Sequence, residues 1–504
     1  MKNMIEPENK IRWIVLVAVM ALALAFVGCD SSDSSDDDDN DDATPIDDDT
    51  SDDDTSDDDT SDDDTSDDDT SDDDTVDDDT IDDDTIDDDT GDDDTFEGPY
   101  YSDFQRYWMT MDEGYAYFIE KDVDWDAVYE TYEPLARAET ELGPFALLIA
   151  EMTAGLRDTH TWSSMSAVPP GLLPYATATG VCLQRCGAGV YVSRLTNAAI
   201  SAGMELGDHV IALDGDPVDD VLAEAVHWEG CSTAQCCDFF RLAHVDRFSA
   251  GDDSVVYTIE RGDATVDIEL LRTGGGSGTC KMGPLVDWLK NASGAVLRYK
   301  PIDDDLGYLH LSTLSEGYLD TILAELDAAL DQFAGRDGLI FDARYNHGGS
   351  DLTAMAVLAR FLDQVVWPVA VRYKNGPAHD DFTPWLPEPV LAGDDPTAAP
   401  VVFLINGGCV SAADFFAAAA AYVPTFTLLG TTSCGATGAP KNDMLPVSGI
   451  TYYYSQMQRK FLATGEQIEG YGIAPDVVVD IDPADLAGGI DSQLQAAIDL
   501  LRSR

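Results

Sequence analysis

The chain has 504 residues, which is enough for two or three domains with a sizeable core. Its formal net charge is -71, and residues 30–95 hold 38 of the negative charges without a single Lys or Arg. The rest of the chain is acidic as well. This composition argues against a nucleic-acid partner and favours a basic or neutral one.

The N-terminus has the features of an export signal. Two basic residues precede an apolar run at 13–27, which suits a signal peptide and is short for a membrane span. The following Phe26-Val27-Gly28-Cys29 resembles a bacterial lipobox, although Phe26 stands where Leu is usual. The resemblance implies that residues 1–29 are a lipoprotein signal peptide, and that Cys29 carries a lipid anchoring an exported protein in the cell envelope, on a periplasmic or outer surface. An ordinary cleaved signal peptide is the alternative.

Residues 30–97 are predicted to be a disordered, Asp-rich linker. Ten pentads between Ile46 and Thr95 each end in Asp-Asp-Asp-Thr. Such a segment repels itself and has almost no apolar surface to bury, so we expect an extended stalk that holds the protein off the membrane. A calcium-binding array is a weaker alternative, because the repeats lack the Gly and closing Glu of an EF-hand loop.

Residues 98–170 are predicted to be a helical N-terminal domain. Asp124 is placed to cap one helix, and Pro144 fits the first turn of another that carries apolar residues at helical spacing. This second helix ends at Leu156-Arg157-Asp158-Thr159-His160. A polar His directly after an apolar helix is suited to face a cleft, although a lone His is more often structural.

Residues 175–280 are predicted to be short strands with a Cys-rich insertion near 228–252. The segment 197–215 contains small residues, a Gly-Asp turn, a strand and an Asp-Gly hairpin turn. This order resembles the middle of a PDZ domain. The resemblance implies binding of peptide C-termini by strand addition to the edge of a sheet.

Residues 284–504 alternate between strand and helix patterns, which predicts an α/β core. One short buried strand, 339–341, leads into a Gly348-Gly349 loop, and a second, 401–405, leads into Ser411 and an Ala-rich helix. A hydroxyl at a helix N-terminus, beside glycine-rich backbone, is well placed to attack a carbonyl group and to have the resulting oxyanion stabilised. From the residues alone, Ser411 as nucleophile and Ser411 as helix cap are both open.

Residues 100–504 contain a series of short motifs. In chain order, they are Asp124-Trp125-Asp126, Leu156–His160, the PDZ-like segment, Asp342-x-Arg344-x-Asn346-x-Gly348-Gly349, Ser411-Ala-Ala-Asp414, Gly472-Ile-Ala-Pro475-Asp476 and Asp491-x-Gln493-Leu. In order and spacing, this set resembles the tail-specific (C-terminal processing) peptidase family. The resemblance implies a multidomain α/β (α+β) fold with a crotonase-like ββα core, a PDZ domain and an N-terminal helical domain.

The same resemblance implies roles for single residues. Ser411 would be the nucleophile, with oxyanion donors from Ala412 and from Gly348 or Gly349. Many members of the family use a Lys about 25 residues after the Ser, but the stretch 430–438 has none. The chain is therefore more similar to the tricorn-like branch, which implies His160 as base assisted by Thr159 and Glu469. Lys441, the nearest Lys, is the alternative base.

Eight cysteines follow Cys29, an even number that favours disulfides in an exported chain. Cys409 and Cys434 should flank one site, so we expect them to be bonded, and we interpret Cys409 as structural rather than as the nucleophile. No spacing matches a zinc site, so no metal or cofactor is predicted.

The predicted activity is that of a serine-type endopeptidase acting on exported polypeptides, with cleavage near their C-termini as one option. A non-catalytic ligand- or peptide-binding lipoprotein on the same fold is the alternative. A surface scaffold carried on the Asp-rich stalk would explain residues 30–95 but not the set of predicted site residues.

Overall fold

A computed structural model describes residues 96–164, 179–224, 230–243, 245–247, 253–272 and 289–504. The predicted signal peptide, Cys29 and nearly all of the Asp-rich linker lie outside the described residues. So do parts of the predicted PDZ-like domain. No helix within the described ranges is long and apolar enough to cross a membrane.

The N-terminal region is helical, as predicted. Its helices are α1 (Tyr101–Gly114), α2 (Trp125–Ala138) and α3 (Leu142–Ala154). The Asp124 side chain caps α2 by accepting a hydrogen bond from the Ala127 N–H at 3.0 Å. The three helices pack around an aromatic core that includes Phe104, Tyr107 and Trp125.

A β-rich region follows. Its elements are β1 (Trp162–Ser163), β2 (Val181–Cys186), β3 (Gly189–Leu195), α4 (Asn197–Ser201), β4 (His209–Leu213), β5 (Asp216–Pro217), α5 (Val218–Glu224), α6 (Ala234–Leu242), β6 (Ser254–Arg261) and β7 (Ala264–Leu271). Five strands form one antiparallel sheet in the order β2-β3-β4-β6-β7, and β5 pairs with β4. Among the described strands β2 is therefore an edge, and α6 packs against it.

The C-terminal region is an α/β layer structure. Its strands are β8 (Leu297–Pro301), β9 (Leu306–Leu311), β10 (Gly338–Asp342), β11 (Val366–Tyr373), β12 (Leu386–Val390), β13 (Val401–Ile405), β14 (Phe426–Gly430), β15 (Pro440–Met444), β16 (Thr451–Ser455), β17 (Met457–Phe461) and β18 (Val477–Val478). Its helices are α7 (Leu319–Gln332), α8 (Asp351–Leu358), α9 (Ala412–Ala420), α10 (Pro483–Ala487) and α11 (Ser492–Arg502). The mixed α/β class predicted from the sequence is confirmed.

The central sheet has the order β18-β14-β13-β10-β9-β8, and only β8 runs antiparallel to its neighbour. Alternate residues of β10 and β13 are buried on opposite faces, which explains their uninterrupted apolar sequences. Phe341 and Phe403 pack on one face with α9, whereas Ile340 and Val402 pack on the other with α11. Because β10 and β13 are parallel neighbours, the loops after them emerge at the same edge of the sheet.

Two three-stranded sheets complete the region, β12-β11-β17 and β1-β16-β15. The second one joins distant parts of the chain, since β1 directly follows the N-terminal helices. Its Tyr452 ring meets Tyr107 of α1 edge to face, with centroids 5.0 Å apart.

Three of the motif residues in the C-terminal region form a buried ion cluster. The Arg344 guanidinium donates hydrogen bonds of 2.7–2.9 Å to the carboxylates of Asp342 and Asp491, and one of 2.9 Å to Gln493 Oε1. Arg344 and Asp342 are completely buried, so their charges depend on this pairing and on further hydrogen bonds, such as the one of 2.7 Å that the Tyr308 hydroxyl donates to Asp342 Oδ2. The cluster ties α11 to the end of β10, which gives these motif residues a structural role.

Candidate active site

Ser411 lies in a strained turn between β13 and α9. Its φ is 63° and its ψ is -122°, a backbone conformation that residues other than Gly rarely adopt. The Ser411 N–H donates to two acceptors, Ala436 O at 2.9 Å and Asp414 Oδ2 at 3.2 Å, and these hydrogen bonds hold the turn. The side chain is half-buried at the start of α9, where the helix dipole favours negative charge.

The predicted oxyanion donors lie next to this turn. A Cβ atom added to Gly348 would lie 2.8 Å from Ser411 Cβ and 2.9 Å from the Ala412 nitrogen, so the two loops are in direct contact. The Gly348 φ of +86° also favours glycine.

Of the three predicted donors, two are unengaged. The Gly348 N–H donates to Asn346 Oδ1 at 2.9 Å. Within the described residues, the N–H groups of Gly349 and Ala412 make no hydrogen bond. The arrangement therefore leaves two backbone donors, from Gly349 and Ala412, for a negatively charged oxygen.

The loop 433–438 supports the Ser411 turn through Asp414. This carboxylate is fully buried and accepts from Ser433 Oγ, from Gly435 N–H at 2.8 Å and from Ala436 N–H at 3.0 Å, besides the Ser411 N–H. Burial raises the pKa of Asp414 to about 7, although its hydrogen bonds act in the opposite direction. Asp414 thus organises both the loop and the turn. Its position in Ser411-Ala-Ala-Asp414 was visible in the sequence, but its role was not.

His160 reaches the same loop. It follows α3, is only 8% exposed, and its Nδ1 accepts a hydrogen bond from the Gly438 N–H at 3.3 Å. No hydrogen bond joins His160 to Ser411 among the described residues. Burial lowers the pKa of His160, and the neighbouring Asp158 only partly opposes this. The ring is therefore neutral at pH 7.

The structure does not bring Thr159 and Glu469 to His160. Thr159 Oγ1 accepts a hydrogen bond from the Ser232 N–H at 3.1 Å and lies beside the sulfur atoms of Cys236 and Cys434. Glu469 accepts from the Thr437 N–H and pairs with Lys121 Nζ, each at 2.8 Å. Glu469 therefore supports the loop 433–438 rather than the His160 ring.

Lys121 is a buried charge that the sequence analysis did not identify. Its Nζ is 2.8 Å from Glu469 Oε1 and 4.0 Å from Asp158 Oδ2. Although burial opposes its charge, the two carboxylates raise the pKa of Lys121, so it stays protonated and cannot act as a base. Asp158 in turn accepts the backbone N–H of His160 at 2.8 Å, which anchors the His160 segment. Lys441, the alternative base, is exposed on β15.

The expected Cys409–Cys434 disulfide is wrong. Cys434 is bonded to Cys236, with Cα atoms 4.5 Å apart, and a second disulfide joins Cys231 to Cys237. Cys409 is a free, buried thiol whose Sγ donates to Ala343 O at 3.1 Å. The two loops are nevertheless adjacent, because the Cys434 N–H donates to Cys409 O at 3.0 Å. Burial raises the pKa of Cys409 far above the ordinary value, consistent with a structural role.

No group of three or more His, Cys, Asp or Glu residues that could hold a metal ion is found in the parts of the chain that the structure describes.

Comparisons with known proteins show similarity to peptidases. Residues 305–479 match the model of peptidase family S41, and residues 100–154 match the Tricorn protease C1 domain. A carboxy-terminal-processing protease of Bartonella bacilliformis is 27% identical over 192 residues, which are 36% of this chain and 40% of the relative. The carboxy-terminal processing protease CtpA of Bacillus subtilis is 28% identical over 183 residues, 36% of each chain. The chain thus matches less than half the length of these curated relatives.

Solved structures show the same fold. Mature CPAF aligns with a TM-score of 0.64 at 16% identity, over 80% of this chain and 96% of that chain. A putative peptidase from Parabacteroides merdae aligns with a TM-score of 0.51 at 22% identity, over 80% and 96%. None of these comparisons tests the PDZ-like domain or the individual site residues, which stay predictions. Residues 305–479 are therefore similar to peptidase family S41, and residues 100–154 to a domain of the Tricorn protease.

Proposed function

We propose that this protein is a serine endopeptidase that hydrolyses polypeptides, with Ser411 as its nucleophile. The observation that carries the proposal is the strained Ser411 turn, with the unengaged N–H groups of Ala412 and Gly349 beside it. Such donors stabilise the oxyanion of acyl transfer, and losing one typically costs about 2.7–4 kcal/mol of transition-state stabilisation.

The proposed reaction proceeds through an acyl-enzyme. Ser411 Oγ attacks the scissile carbonyl carbon while His160 takes the hydroxyl proton, and His160 then gives this proton to the leaving amine as the peptide C–N bond breaks. A water molecule, deprotonated by His160, attacks the ester and releases Ser411. Ala412 and Gly349 donate to the carbonyl oxygen in both steps.

This role requires a local change at His160. A neutral ring whose Nδ1 accepts from Gly438 carries its hydrogen on Nε2, so Nε2 has no free lone pair in this arrangement. The ring has to reorient, or the 433–438 loop has to shift, before it can accept the Ser411 proton. Catalytic hydrogen bonds are commonly long in structures without substrate and shorten when it binds.

The proposed substrates are exported polypeptides, cleaved near their C-termini. The names of the similar proteases specify carboxy-terminal processing. A cavity of about 210 Å³ beside the edge strand β2 and α6 is lined by Gln184, Arg185, Phe239 and Leu242, among others. It offers a place for a peptide chain that adds to β2, in the manner of a PDZ domain.

The proposal is tested by covalent labelling of the full-length mature protein with a serine-reactive organophosphonate. We expect one adduct per chain, mapped to Ser411 by peptide mass spectrometry, and no adduct after heat unfolding. Labelling at another residue, in a preparation that hydrolyses polypeptides, would contradict the assignment of Ser411.

A non-catalytic binding protein is the second candidate, favoured by one observation, the missing hydrogen bond between His160 and Ser411. A native protein that binds peptides but neither reacts with the organophosphonate nor hydrolyses them would support this reading.

We also propose that the protein is anchored to a membrane of the cell envelope by a lipid on Cys29. Mass spectrometry of the mature N-terminus should show cleavage after Gly28 and a diacylglyceryl mass on Cys29. An unmodified Cys29, or cleavage at another position, would contradict the anchor without affecting the proposed activity.

A further inference from the structure

An exposed tryptophan and a half-buried tyrosine are stacked on the sheet β1-β16-β15. Trp162 of β1 and Tyr453 of β16 are direct cross-strand partners, with ring centroids 4.0 Å apart and planes inclined by 14°. Trp162 nevertheless remains 47% exposed. Burying a large apolar surface of this kind against a ligand lowers the free energy.

The sheet has one packed face and one open face. Tyr452 and Tyr454 point to the N-terminal helices, where Tyr107 contacts Tyr452 and Gly114 lies against the Tyr454 ring. Because side chains alternate along a strand, Tyr453 points to the opposite, open face. Ser455 shares this face with Tyr453.

The open face adjoins the candidate active site. Ser455 is in close contact with Gly438, where an added Cβ would overlap its hydroxyl, and the Gly438 N–H donates to His160. Tyr453 is two residues from Ser455, a distance of about 6.6–6.8 Å along the strand. In the chain, Trp162 is likewise only two residues from His160.

The apolar surface continues along the sheet away from His160. Met444 of β15 lies opposite Thr451, two residues before Tyr453, so it is on the same open face, and it is 56% exposed. We name Trp162, Tyr453 and Met444 the aromatic strip.

The charged and the uncharged side chains of β15 lie on opposite faces of the sheet. Lys441 and Asp443 pair with Tyr454 and Tyr452, and so belong to the face of the N-terminal helices, where Asp443 also accepts from Arg106. Its open-face residues, Pro440, Asn442 and Met444, are uncharged. In a chain with a net charge of -71, the open face of this hairpin is suited to an apolar ligand.

We propose that the aromatic strip is a substrate subsite that binds an aromatic or large aliphatic side chain of the polypeptide, close to the scissile bond. The inference rests on the proposed peptidase function, because the strip is part of the substrate path only if His160, which lies beside it, belongs to the active site. It assigns a specificity-determining role to Trp162, which does not take part in the chemical steps.

The test uses peptides that differ at one position at a time within three residues of the mapped cleavage site, where each carries Phe, Ala or Lys. We expect the wild type to prefer Phe over Ala at one of these positions. Trp162→Ala should lower this preference in kcat/KM about tenfold, mainly through KM, because an apolar subsite contributes to binding in this range. Trp162→Phe should keep most of the preference.

Trp367→Ala is the matched control. Trp367 is 48% exposed and lies on β11, in another sheet, so its loss removes a similar surface without touching the strip. The Phe preference should be unchanged in this variant. The proposal would be overturned if the preference for Phe were unchanged in Trp162→Ala. It would also be overturned if the wild type preferred Lys and Trp162→Ala abolished that preference.

Equilibrium binding separates this inference from the proposed activity. Fluorescence anisotropy with labelled Phe and Ala peptides measures the same preference in the absence of turnover. If the protein cleaves nothing, but Trp162→Ala still removes a binding preference for Phe, the subsite stands and the peptidase function does not. Equal affinities for Phe and Ala peptides in the wild type would refute the subsite, whether or not the protein cleaves.

Discussion

Replacing Ser411 with Ala should reduce peptide hydrolysis by about 10⁴-fold or more while leaving the protein folded. Removing the nucleophile of a serine peptidase eliminates the acyl-enzyme route and leaves only the contribution of substrate binding and the oxyanion donors. The turn itself should persist, because the hydrogen bonds from the Ser411 N–H to Ala436 O and Asp414 Oδ2 do not involve the hydroxyl. We expect the unfolding free energy to change by about 1 kcal/mol or less.

Steady-state kinetics and thermal unfolding of the same preparations measure both effects. Cys409→Ala is the matched control, since Cys409 lies two residues away but its thiol is buried in the core and donates to Ala343 O. This variant should keep turnover within a few-fold of the wild type. An active Ser411→Ala together with an inactive Cys409→Ala would assign the nucleophile to the thiol.

The nucleophile loop could be predicted from the sequence because its determinants are local. The apolar runs 339–341 and 401–405 fall within the buried strands β10 and β13, and the polar, glycine-rich residues after each strand meet at one sheet edge. Parallel strands impose this geometry whatever the surrounding sequence. The contact between Gly348 and Ser411 follows from it.

The partners of the other site residues could not be predicted, because they depend on contacts between distant segments. Cys434 is paired with Cys236, 198 residues earlier, on the helix α6 within a region that the sequence indicated only as an insertion. Glu469 forms an ion pair with Lys121, which belongs to none of the sequence motifs. Asp414 satisfies four donors at once, and three of them come from the loop 433–438 and one from its own turn.

His160→Ala should lower kcat by about 10²–10⁴-fold, the usual contribution of a general base, whereas Lys441→Ala should have little effect. Lys441 is exposed on β15 and shares the face of Tyr454, away from the open face beside His160. An inactive Lys441→Ala together with an active His160→Ala would place the enzyme with the serine–lysine branch instead.

A second histidine provides the control for this assignment. His347 is exposed and precedes Gly348, whose backbone contacts Ser411, so it is the other imidazole near the turn. Its ring packs against Phe239 of α6, with centroids 5.5 Å apart. His347→Ala should retain most of the wild-type kcat, and a loss comparable with that of His160→Ala would make His347 the stronger candidate for the base.

The pH profile adds a test that depends on the environment of His160. A general base must be neutral, so activity falls as the pH drops through its pKa, and burial lowers the pKa of His160 below the ordinary value of 6.5. The acidic limb of kcat/KM should therefore lie below pH 6.5. Asp414 would instead give a limb at higher pH, because burial raises its pKa to about 7 and its protonation weakens the hydrogen bonds that it accepts from the Ser411 and Ala436 N–H groups. The position of the limb distinguishes the two groups: a midpoint below pH 6.5 belongs to His160, and a midpoint near pH 7 belongs to Asp414.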